Sequence, residues 1–230
     1  IAAIAHNHAR KFAKPGINEY QIAAEIEYIF NKNGAMGVAY PSIVASGANA
    51  CILHYIDNNS VLKDGDLLLI DAGCAVGYYN SDVTRTFPVN GKFTAEQKII
   101  YELVLDAQMA SIEQVNLGLL AGEVSTLIEE EKYKNFYMHG TGHWLGLDVH
   151  DVGIYMHGAE NWYQFQPGNI ITVEPGIYIS PDIEPAEGQP AIDDCWKGIG
   201  VRIEDDVLVT ATGHEVLTAA VPKFVEDIES

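Results

Sequence analysis

The most constraining feature of the sequence is a continuous apolar run at residues 67–70, which follows an Asp64-Gly65 turn and ends in Asp71. A strand that is apolar at successive positions must be covered on both faces, so the chain has to place packing layers on either side of it. A carboxylate at the end of such a strand is costly unless it is paired, hydrogen-bonded or bound to a metal. The alternative interpretation is that Asp71 forms the turn before Ala72 and Gly73, and the residue by itself leaves both open.

Helical patterns lie on either side of this strand in the sequence. Apolar spacing predicts a helix within residues 1–14 and a second within residues 18–33, with Asn18 as its N-cap. Thr94 starts a third helix, whose expected apolar stripe is Ile99, Ile100, Leu103, Val104 and Ala107. Strand-rich regions follow the second and the third helix, which indicates a single domain with two halves of similar design.

Composition excludes several classes of protein. The 230 residues include 13 Lys+Arg against 32 Asp+Glu, a formal net charge of -19, which argues against nucleic acid or an anionic membrane as a partner. No apolar run approaches the ~20 residues that span a bilayer, and the N-terminus lacks the order of a signal peptide. Cys51, Cys74 and Cys195 have no C-x-x-C spacing, so neither a disulfide framework nor a thiolate metal site is predicted. This composition favours a soluble cytoplasmic protein.

Two further carboxylates stand at strand positions. Asp82 lies in NSDVTRTF, and a hairpin with the preceding strand could bring it onto one face with Asp71. The alternative for Asp82 is an ion pair with Arg85. Glu174 ends the largely apolar stretch NIITV before a Pro-Gly turn, where a glutamate is uncommon by chance, so a functional role is favoured for it.

A third acidic stretch is GVRIEDDVLVT, which contains Glu204. Strand alternation places Arg202, Glu204 and Asp206 on one face of this strand and Asp205 on the other. For Asp205 and Asp206 the preferred interpretation is a ladder of charges that faces solvent.

Three histidines fall within twelve residues, in HGTGHWLGLDVHD. His139 and His143 have the i,i+4 spacing of a zinc-binding helix, but Gly140 and Gly142 disfavour a helix and no glutamate follows the first histidine. An extended, glycine-rich segment that presents His139, His143 and His150 is expected instead. For any one of them, a histidine buried in the core is the alternative.

Other catalytic motifs are missing or weak. The sequence has no phosphate-binding loop, serine elbow or dinucleotide fingerprint, and Cys51 with His54 is a poorly supported nucleophile and base. The candidates that remain are four carboxylates and one imidazole, which belong to Asp71, Asp82, Glu174, Glu204 and His143. Four carboxylates in one pocket would not all stay ionised without a cation, so two divalent ions with oxygen preference, such as Mn, Mg or Co, are the hypothesis for the site.

Four motifs in order carry a family resemblance: IDAG…SDVTRTF, HGTGHWLGLDVHDVG, TVEPGIY and GIGVRIEDDVLVT. The chain resembles the Xaa-Pro aminopeptidases, which are pita-bread metallopeptidases related to prolidases and methionine aminopeptidases. The resemblance implies an α+β pita-bread fold, in which two pseudo-symmetric αβ halves combine a curved antiparallel sheet with helices on the outer face. Residues 1–230 would form a single catalytic domain with halves at about 1–93 and 94–230.

The resemblance also implies a function and its residues. The enzyme would hydrolyse the N-terminal Xaa-Pro bond of peptides with metal-activated hydroxide at a dinuclear site, most commonly loaded with Mn(2+), with Co, Zn, Mg or Fe as alternatives. The implied metal ligands are Asp71, Asp82, His143, Glu174 and Glu204. Glu174 would also transfer protons, and the residues implied around the substrate are His54, His139, His150, Arg202 and Tyr178. A homo-oligomer is expected.

Two departures from the family pattern matter. The N-terminal domain of the family is expected to be absent from this sequence, and a segment of about 25–30 residues is expected to be missing near residues 115–117. The alternatives to an aminopeptidase are a prolidase, which acts on Xaa-Pro dipeptides, and a non-catalytic pita-bread binding module.

Overall fold

In the computed structural model, the described residues are 1–115, 136–157, 161–185, 188 and 190–230. The expected missing segment near residues 115–117 therefore lies outside the described residues, apart from Val115. The α-helices of the described part are α1 (Ala2–Phe12), α2 (Glu19–Lys32), α3 (Ala95–Gln114) and α4 (Val225–Ile228). Short 3-10 helices span Gly47–Cys51 and Asp194–Trp196.

The strands are short and they pair antiparallel. They are β1 (Gly37–Val38), β2 (Ile43–Ser46), β3 (Leu67–Asp71), β4 (Cys74–Val76), β5 (Tyr79–Asn80), β6 (Thr84–Pro88), β7 (Met156–His157), β8 (Asn161–Trp162), β9 (Ile170–Val173), β10 (Gly176–Ile179), β11 (Ile199–Arg202), β12 (Asp205–Thr210) and β13 (Gly213–Val216). Three of the sheets have three strands, in the orders β1-β4-β5, β2-β3-β6 and β13-β12-β9, and the last two of these sheets lead to the acidic residues. The expectation of a mixed helix and strand fold with antiparallel sheets is confirmed.

Helices α2 and α3 begin where the sequence signals place them. Asn18 caps α2 in a capping box with Gln21, and Thr94 caps α3 in a capping box with Gln97. Helix α2 packs on β2 and α3 packs on β11. Both helices share one core with β3, which is buried at all five positions as its apolar run predicts. The main core joins apolar residues of α1, α2, α3, β3 and β11, and it fixes the strand ends that carry the acidic residues.

The buried face of α3 differs from the expected stripe. Ile100 and Val104 are buried, but Ile99 and Leu103 are about half exposed, and Tyr101, Leu105 and Gln108 take their place. The apolar pattern of this helix is nearly all-round, so sequence periodicity gave the right helix with a rotated face. Gln108 can be buried because it has a partner in the tertiary structure: its amide donates a hydrogen bond to Asp205 at 2.8 Å.

The expected charge ladder at Asp205 and Asp206 is wrong, because both residues are buried. Asp205 accepts from the Arg85 guanidinium at 2.6 Å and from the Lys223 ammonium at 2.8 Å. Thr218 donates to the same carboxylate at 2.6 Å. Arg85 therefore pairs with Asp205, which removes the alternative that it pairs with Asp82.

Asp206 and Asp82 connect the two sheets. The carboxylate of Asp206 accepts the backbone N–H of Asp82 at 3.2 Å. Asp82 itself precedes β6 by two residues, so it is not on the strand as expected, although β3 and β6 do pair with Asp71 opposite Thr84. The backbone N–H of Glu204 donates to the carbonyl of Thr84 at 3.1 Å. These bonds bring the acidic ends of both sheets to one place.

None of the helices within the described residues is long and apolar enough to cross a membrane.

Asp205→Asn is expected to lower the free energy of unfolding by about 3–5 kcal/mol, because it leaves Arg85 and Lys223 buried without their counter-charge. Burial favours the neutral acid, but Arg85 and Lys223 outweigh it and lower the pKa of Asp205 from 3.8 to about 2. A depressed pKa stabilises the fold above the unfolded value, and this stabilisation is lost as the pH falls through the folded value. The difference between wild type and variant should therefore shrink between pH 4 and pH 2 in urea unfolding.

Asp194→Asn is the matched control, since it makes the same substitution at an exposed carboxylate that pairs with Lys197 at 2.8 Å. It should leave unfolding unchanged within error. Equal destabilisation by the two substitutions would contradict the role given to the buried pair.

Candidate metal centre

A cavity of about 440 Å³ lies where the ends of the two sheets meet. Every residue that the sequence singled out for a metal or a catalytic role lines it, except Tyr178, which lies behind Arg202. The lining includes Leu53, His54, Asp71, Asp82, His139, Gly140, Gly142, His143, His150, Tyr155, Glu174, Arg202 and Glu204. A larger cavity of about 740 Å³ lies elsewhere and contains none of these acidic or imidazole groups.

Asp71 and Asp82 are joined through a residue that the sequence did not single out. The hydroxyl of Tyr40 lies 2.6 Å from Oδ1 of Asp71 and 2.5 Å from Oδ1 of Asp82. The Arg202 guanidinium donates to Oδ2 of Asp71 at 2.6 Å. The carboxylate of Asp71 is thus both ion-paired and hydrogen-bonded. A role in forming the turn before Ala72 therefore does not by itself explain this residue.

His143 is held by a segment that runs along β9. The N–H of Thr172 donates to the carbonyl of His143 at 2.9 Å, and the N–H of Glu174 donates to the carbonyl of Thr141 at 2.8 Å. As the glycines predict, residues 139–143 are not helical; they form no strand either, and the backbone bends at His139 and Thr141. A Cβ atom on Gly142 would lie 1.9 Å from the carbonyl oxygen of Thr172, so only glycine allows this close approach.

The hydrogen bonding of His143 leaves one ring nitrogen facing the acids. Its Nδ1 lies 2.9 Å from the carbonyl oxygen of Trp144, which fixes the proton on Nδ1 and leaves Nε2 as the coordinating atom. Nε2 lies 3.3 Å from Asp82 and 3.5 Å from Glu174. One ligand atom each from Asp82, His143 and Glu204 lie within 4.8 Å of one another.

Glu204 is oriented by Thr84. The Thr84 hydroxyl donates to Oε2 of Glu204 at 2.7 Å and accepts from Nε of Arg202 at 3.1 Å. Because Thr84 opposes Asp71 in the sheet, one strand pair sets the positions of two acids. Thr84 and Tyr40 are the supports that sequence reasoning missed, and Thr84 lies within the quoted motif SDVTRTF, two residues beyond Asp82.

The acids are crowded enough to resist ionisation. Burial raises the pKa of Glu204 well above its ordinary value, and the charges of Asp82, Glu174 and Asp71 raise it further. Burial likewise raises the pKa of Glu174 to about 7, against the opposing charges of His143 and Arg202. Burial favours neutral His143, but the hydrogen bond to Asp82 and the charge of Glu174 outweigh it and raise the pKa to about 9.

This donor set fits divalent cations. The acidic oxygens raise one another's pKa when no cation lies between them, and a divalent ion would relieve that repulsion. Oxygen donors with a single imidazole suit Mn, Mg, Co, Fe or Zn more than a thiolate-seeking metal. The nearby thiol does not compete, because burial raises the pKa of Cys51 to about 11, which also disfavours the cysteine nucleophile.

Arg202, Tyr178 and His139 form a connected chain on one side of the cavity. Nη1 of Arg202 donates to the Tyr178 hydroxyl at 2.9 Å, and that hydroxyl lies 2.6 Å from Nε2 of His139. Nδ1 of His139 lies 2.8 Å from the carbonyl oxygen of Gly140, so Nε2 accepts from Tyr178. Burial and the charge of Arg202 lower the pKa of His139 to about 4, so it is neutral at pH 7.

His54 and His150 line the same cavity and their side chains are exposed to it. The ring of His150 packs edge-on against the ring of His143, with centroids 4.3 Å apart. Burial and the neighbouring His143 lower the pKa of His150. A neutral imidazole at this place is able to donate one hydrogen bond to a bound molecule.

Comparison with known proteins places the chain in a family. The sequence model of metallopeptidase family M24 matches residues 1–211, so the chain belongs to this family. The Xaa-Pro aminopeptidase of Haemophilus influenzae is 49% identical over 252 aligned residues, which cover 100% of this chain and 56% of that protein. The solved structure of aminopeptidase PepP from Pseudomonas aeruginosa has a TM-score of 0.92 and 50% identity, covering 99% of this chain and 55% of that one.

A more distant relative is the human Xaa-Pro dipeptidase, which is 35% identical over 278 aligned residues that cover 100% of this chain and 56% of that protein. The chain therefore spans about half the length of the relatives it matches.

Gly142→Ala is expected to displace the His143 segment from β9, because its Cβ would overlap the Thr172 carbonyl. We expect a loss of about 3 kcal/mol in the free energy of unfolding, together with weaker Mn(II) binding in titration calorimetry. Gly140→Ala is the matched control, since its nearest neighbour would be the Gly142 carbonyl at 3.9 Å. Equal stability and Mn(II) affinity in both variants would show that the close approach at Gly142 is unimportant.

Proposed function

We propose that the protein is a metal-dependent Xaa-Pro aminopeptidase, which removes the N-terminal residue of peptides with proline in second position. The observation that carries the proposal is the convergence of Asp82, His143 and Glu204 in one cavity beside Asp71 and Glu174. Membership of metallopeptidase family M24 supports peptide-bond hydrolysis, and the relatives named Xaa-Pro aminopeptidase and aminopeptidase PepP support the class of substrate.

The proposed metal ligands are Asp71, Asp82, His143, Glu174 and Glu204, which together would hold two divalent ions. Manganese is the proposed metal, with Co, Zn, Mg or Fe as alternatives. When bound, such ions lower the pKa of a water molecule and polarise the scissile carbonyl. The hydrogen bonds of three of these ligands support this arrangement, since Tyr40, Thr84 and Arg202 hold Asp71, Asp82 and Glu204 in place.

Glu174 is the proposed proton carrier. Its carboxylate lies in the cavity among the other proposed ligands, and a carboxylate is a group that can accept a proton and return it. In the proposed reaction, a carboxylate oxygen of Glu174 takes the proton of the attacking water and delivers it to the nitrogen of the departing proline. The departing nitrogen, like that of any amide, must receive a proton to leave as an amine.

The imidazoles are the proposed contacts with the substrate. His54 and His150 face the cavity and would donate hydrogen bonds to the carbonyl oxygen as negative charge develops on it. His139 is held by Tyr178, and Tyr178 by Arg202, so this chain would keep that side of the cavity rigid around the peptide. Arg202 also fixes Asp71, which couples the substrate side to the ligand side.

The alternative within the family is a prolidase, and the human Xaa-Pro dipeptidase supports it more weakly because its identity is lower. A non-catalytic binding module is the third candidate. Retention of all five donors argues against that candidate, since a binding module has no need for a complete hydrolytic ligand set.

The direct test compares a tripeptide Xaa-Pro-Yaa with the dipeptide Xaa-Pro, in the presence of Mn(II) and after treatment with a strong chelator. We expect hydrolysis of the tripeptide at the Xaa-Pro bond, loss of activity in chelator, and recovery when Mn(II) is added back. Cleavage of the dipeptide alone would identify a prolidase. Full activity in chelator would contradict any metal-dependent mechanism, and no turnover of either peptide would favour the binding module.

Glu174→Gln is expected to lower kcat by about 100-fold or more, because it removes a proton carrier and a ligand charge from the cavity. Stopped assays of Xaa-Pro-Yaa hydrolysis at saturating substrate measure this change. Glu184→Gln, the same substitution at an exposed glutamate outside the cavity, is the control and should keep wild-type kcat. Near-normal turnover in Glu174→Gln would remove this residue from the mechanism.

We also propose the finer organisation that the resemblance implies: two pseudo-symmetric halves, a cytoplasmic location and a homo-oligomer. A segment absent near residues 115–117 belongs to the same proposal. It is supported by an alignment of 252 residues with the Haemophilus influenzae relative against 230 in the chain. Mass-spectrometric peptide mapping of the natural protein across Val115 would test this, and a peptide that reads Val115-Asn116-Leu117 would contradict it.

A further inference from the structure

Residues 46–60, called here the His54 segment, lie between the two cavities. Ser46, Asn49 and Ser60 line the cavity of about 740 Å³, whereas Leu53 and His54 line the cavity of about 440 Å³ that holds the acids. After the 3-10 helix Gly47–Cys51, the segment has no helix or strand up to Ser60. Its position therefore depends on specific side-chain contacts more than on a backbone ladder.

One buried carboxylate accepts hydrogen bonds from both ends and from the middle of this segment. Glu19, the first residue of α2, is fully buried. Its Oε1 accepts from the N–H of Ser46 at 2.7 Å, from the hydroxyl of Ser46 at 2.7 Å and from the amide of Asn49 at 3.0 Å. Its Oε2 accepts from the hydroxyl of Tyr55 at 2.8 Å and from the N–H of Ser60 at 2.8 Å. All five donors belong to the His54 segment.

These donors are neutral, and none of the ion pairs within the described residues includes Glu19. A buried carboxylate that lacks a cation must be satisfied by hydrogen bonds, which are stronger when the acceptor is ionised. Removing the acceptor would leave several buried donors unsatisfied at once. The cost of that change falls on the His54 segment, because it contributes every donor.

Tyr55 transmits this anchoring to His54. Between residues 52 and 60, Tyr55 is the one buried residue, while its neighbour His54 is exposed to the cavity. The Tyr55 ring packs with Ile43, Ala45, Ala50 and Leu69, and its hydroxyl reaches Glu19. Asn58 adds a separate tie to β2 through the N–H of Val44 at 2.8 Å.

The other end of the anchor is rigid. The backbone N–H of Glu19 donates to the carbonyl of Ser60 at 3.0 Å, and the capping box of Asn18 and Gln21 fixes the start of α2. One turn further on, Ile22 is fully buried in the main core. A displacement at Glu19 would therefore be taken up by the irregular segment and not by the helix.

We propose that Glu19 is a positioning residue for His54. Glu19 acts through Tyr55 to hold the His54 imidazole in the cavity of the candidate metal centre. The inference rests on the proposed function for the role of His54 toward substrate, but the position of the imidazole is measurable without any reaction. Glu19 does not line this cavity, so its proposed effect is on the position of His54 and not on the substrate directly.

Two variants separate the hydrogen bonds from the packing. Tyr55→Phe keeps the ring and removes only the hydroxyl that donates to Glu19. Glu19→Gln keeps the size of the side chain but turns one acceptor into an NH₂ group that faces donors. Ile22→Val, on the same helix and away from the His54 segment, is the control for a modest loss of stability.

The first measurement is independent of activity. With ¹⁵N-labelled histidine, long-range ¹H–¹⁵N spectra report the imidazole groups of the eight histidines, and the His54→Gln variant assigns the signals of His54. Tyr55→Phe and Glu19→Gln are expected to shift or broaden the His54 signals, while those of His8, which pairs with Glu25 on the outer helices, stay in place. Ile22→Val should leave all of them unchanged.

The second measurement is a double-mutant cycle on Xaa-Pro-Yaa hydrolysis with Mn(II). Glu19→Gln is expected to lower kcat/KM by about 10- to 100-fold, as misplacement of a contact group does, with a smaller loss for Tyr55→Phe. In the His54→Ala background, Glu19→Gln should change kcat/KM by less than about twofold. A merely structural role would instead give the same loss in both backgrounds.

Unchanged His54 signals in both Tyr55→Phe and Glu19→Gln would overturn the inference, as would an undiminished effect of Glu19→Gln in the His54→Ala background. Wild-type activity of His54→Ala, or no peptidase activity in any variant, would contradict the proposed function instead. In that case the spectra alone decide whether Glu19 positions His54.

Discussion

The mutual repulsion of buried carboxylates at the meeting point of two sheets is the interaction on which the rest of this structure depends. Glu204 lies in the same cavity as Asp71, Asp82 and Glu174, and their charges raise its pKa beyond the effect of burial. Protein groups neutralise only part of this charge, chiefly the Arg202 guanidinium on Asp71. A cavity that concentrates acidic oxygens in this way has a strong preference for divalent cations, and the surrounding contacts keep the oxygens together when they would otherwise move apart.

Those contacts come from elements that are distant in the sequence. Thr84 reaches Glu204 across 120 positions, and Arg202 reaches Asp71 across 131. A second buried network of Arg85, Asp205 and Lys223 lies directly behind the first, on the far face of the same strands. Its single acid is paired with two cations, so the pKa of Asp205 falls where that of Glu204 rises. Adjacent acids thus serve opposite purposes, one stabilising the fold and one remaining available to a cation.

The residues that line the cavity are held in different ways, some by strand pairing and others by contacts of irregular segments. Asp71 and Glu174 lie at the ends of strands, His143 lies on a segment that is bonded along β9, and His54 lies on a segment held by side chains. Strand pairing thus fixes part of the ligand set directly. For His54, which lies outside any helix or strand, a buried anchor such as Glu19 has more influence on position.

The sequence by itself determined the helices α1, α2 and α3, the buried strand β3, the non-helical histidine segment and the set of acids and imidazoles, because each follows from local periodicity, turn chemistry or the cost of a polar group in an apolar run. Ordered motifs identified the family. The tertiary structure alone decided which face of α3 is buried, that Asp205 and Asp206 are internal, and that Tyr40, Thr84 and Glu19 serve the cavity. Each of these features depends on at least one partner more than 20 residues away, and no local pattern in a single sequence encodes which distant group will satisfy a buried polar atom.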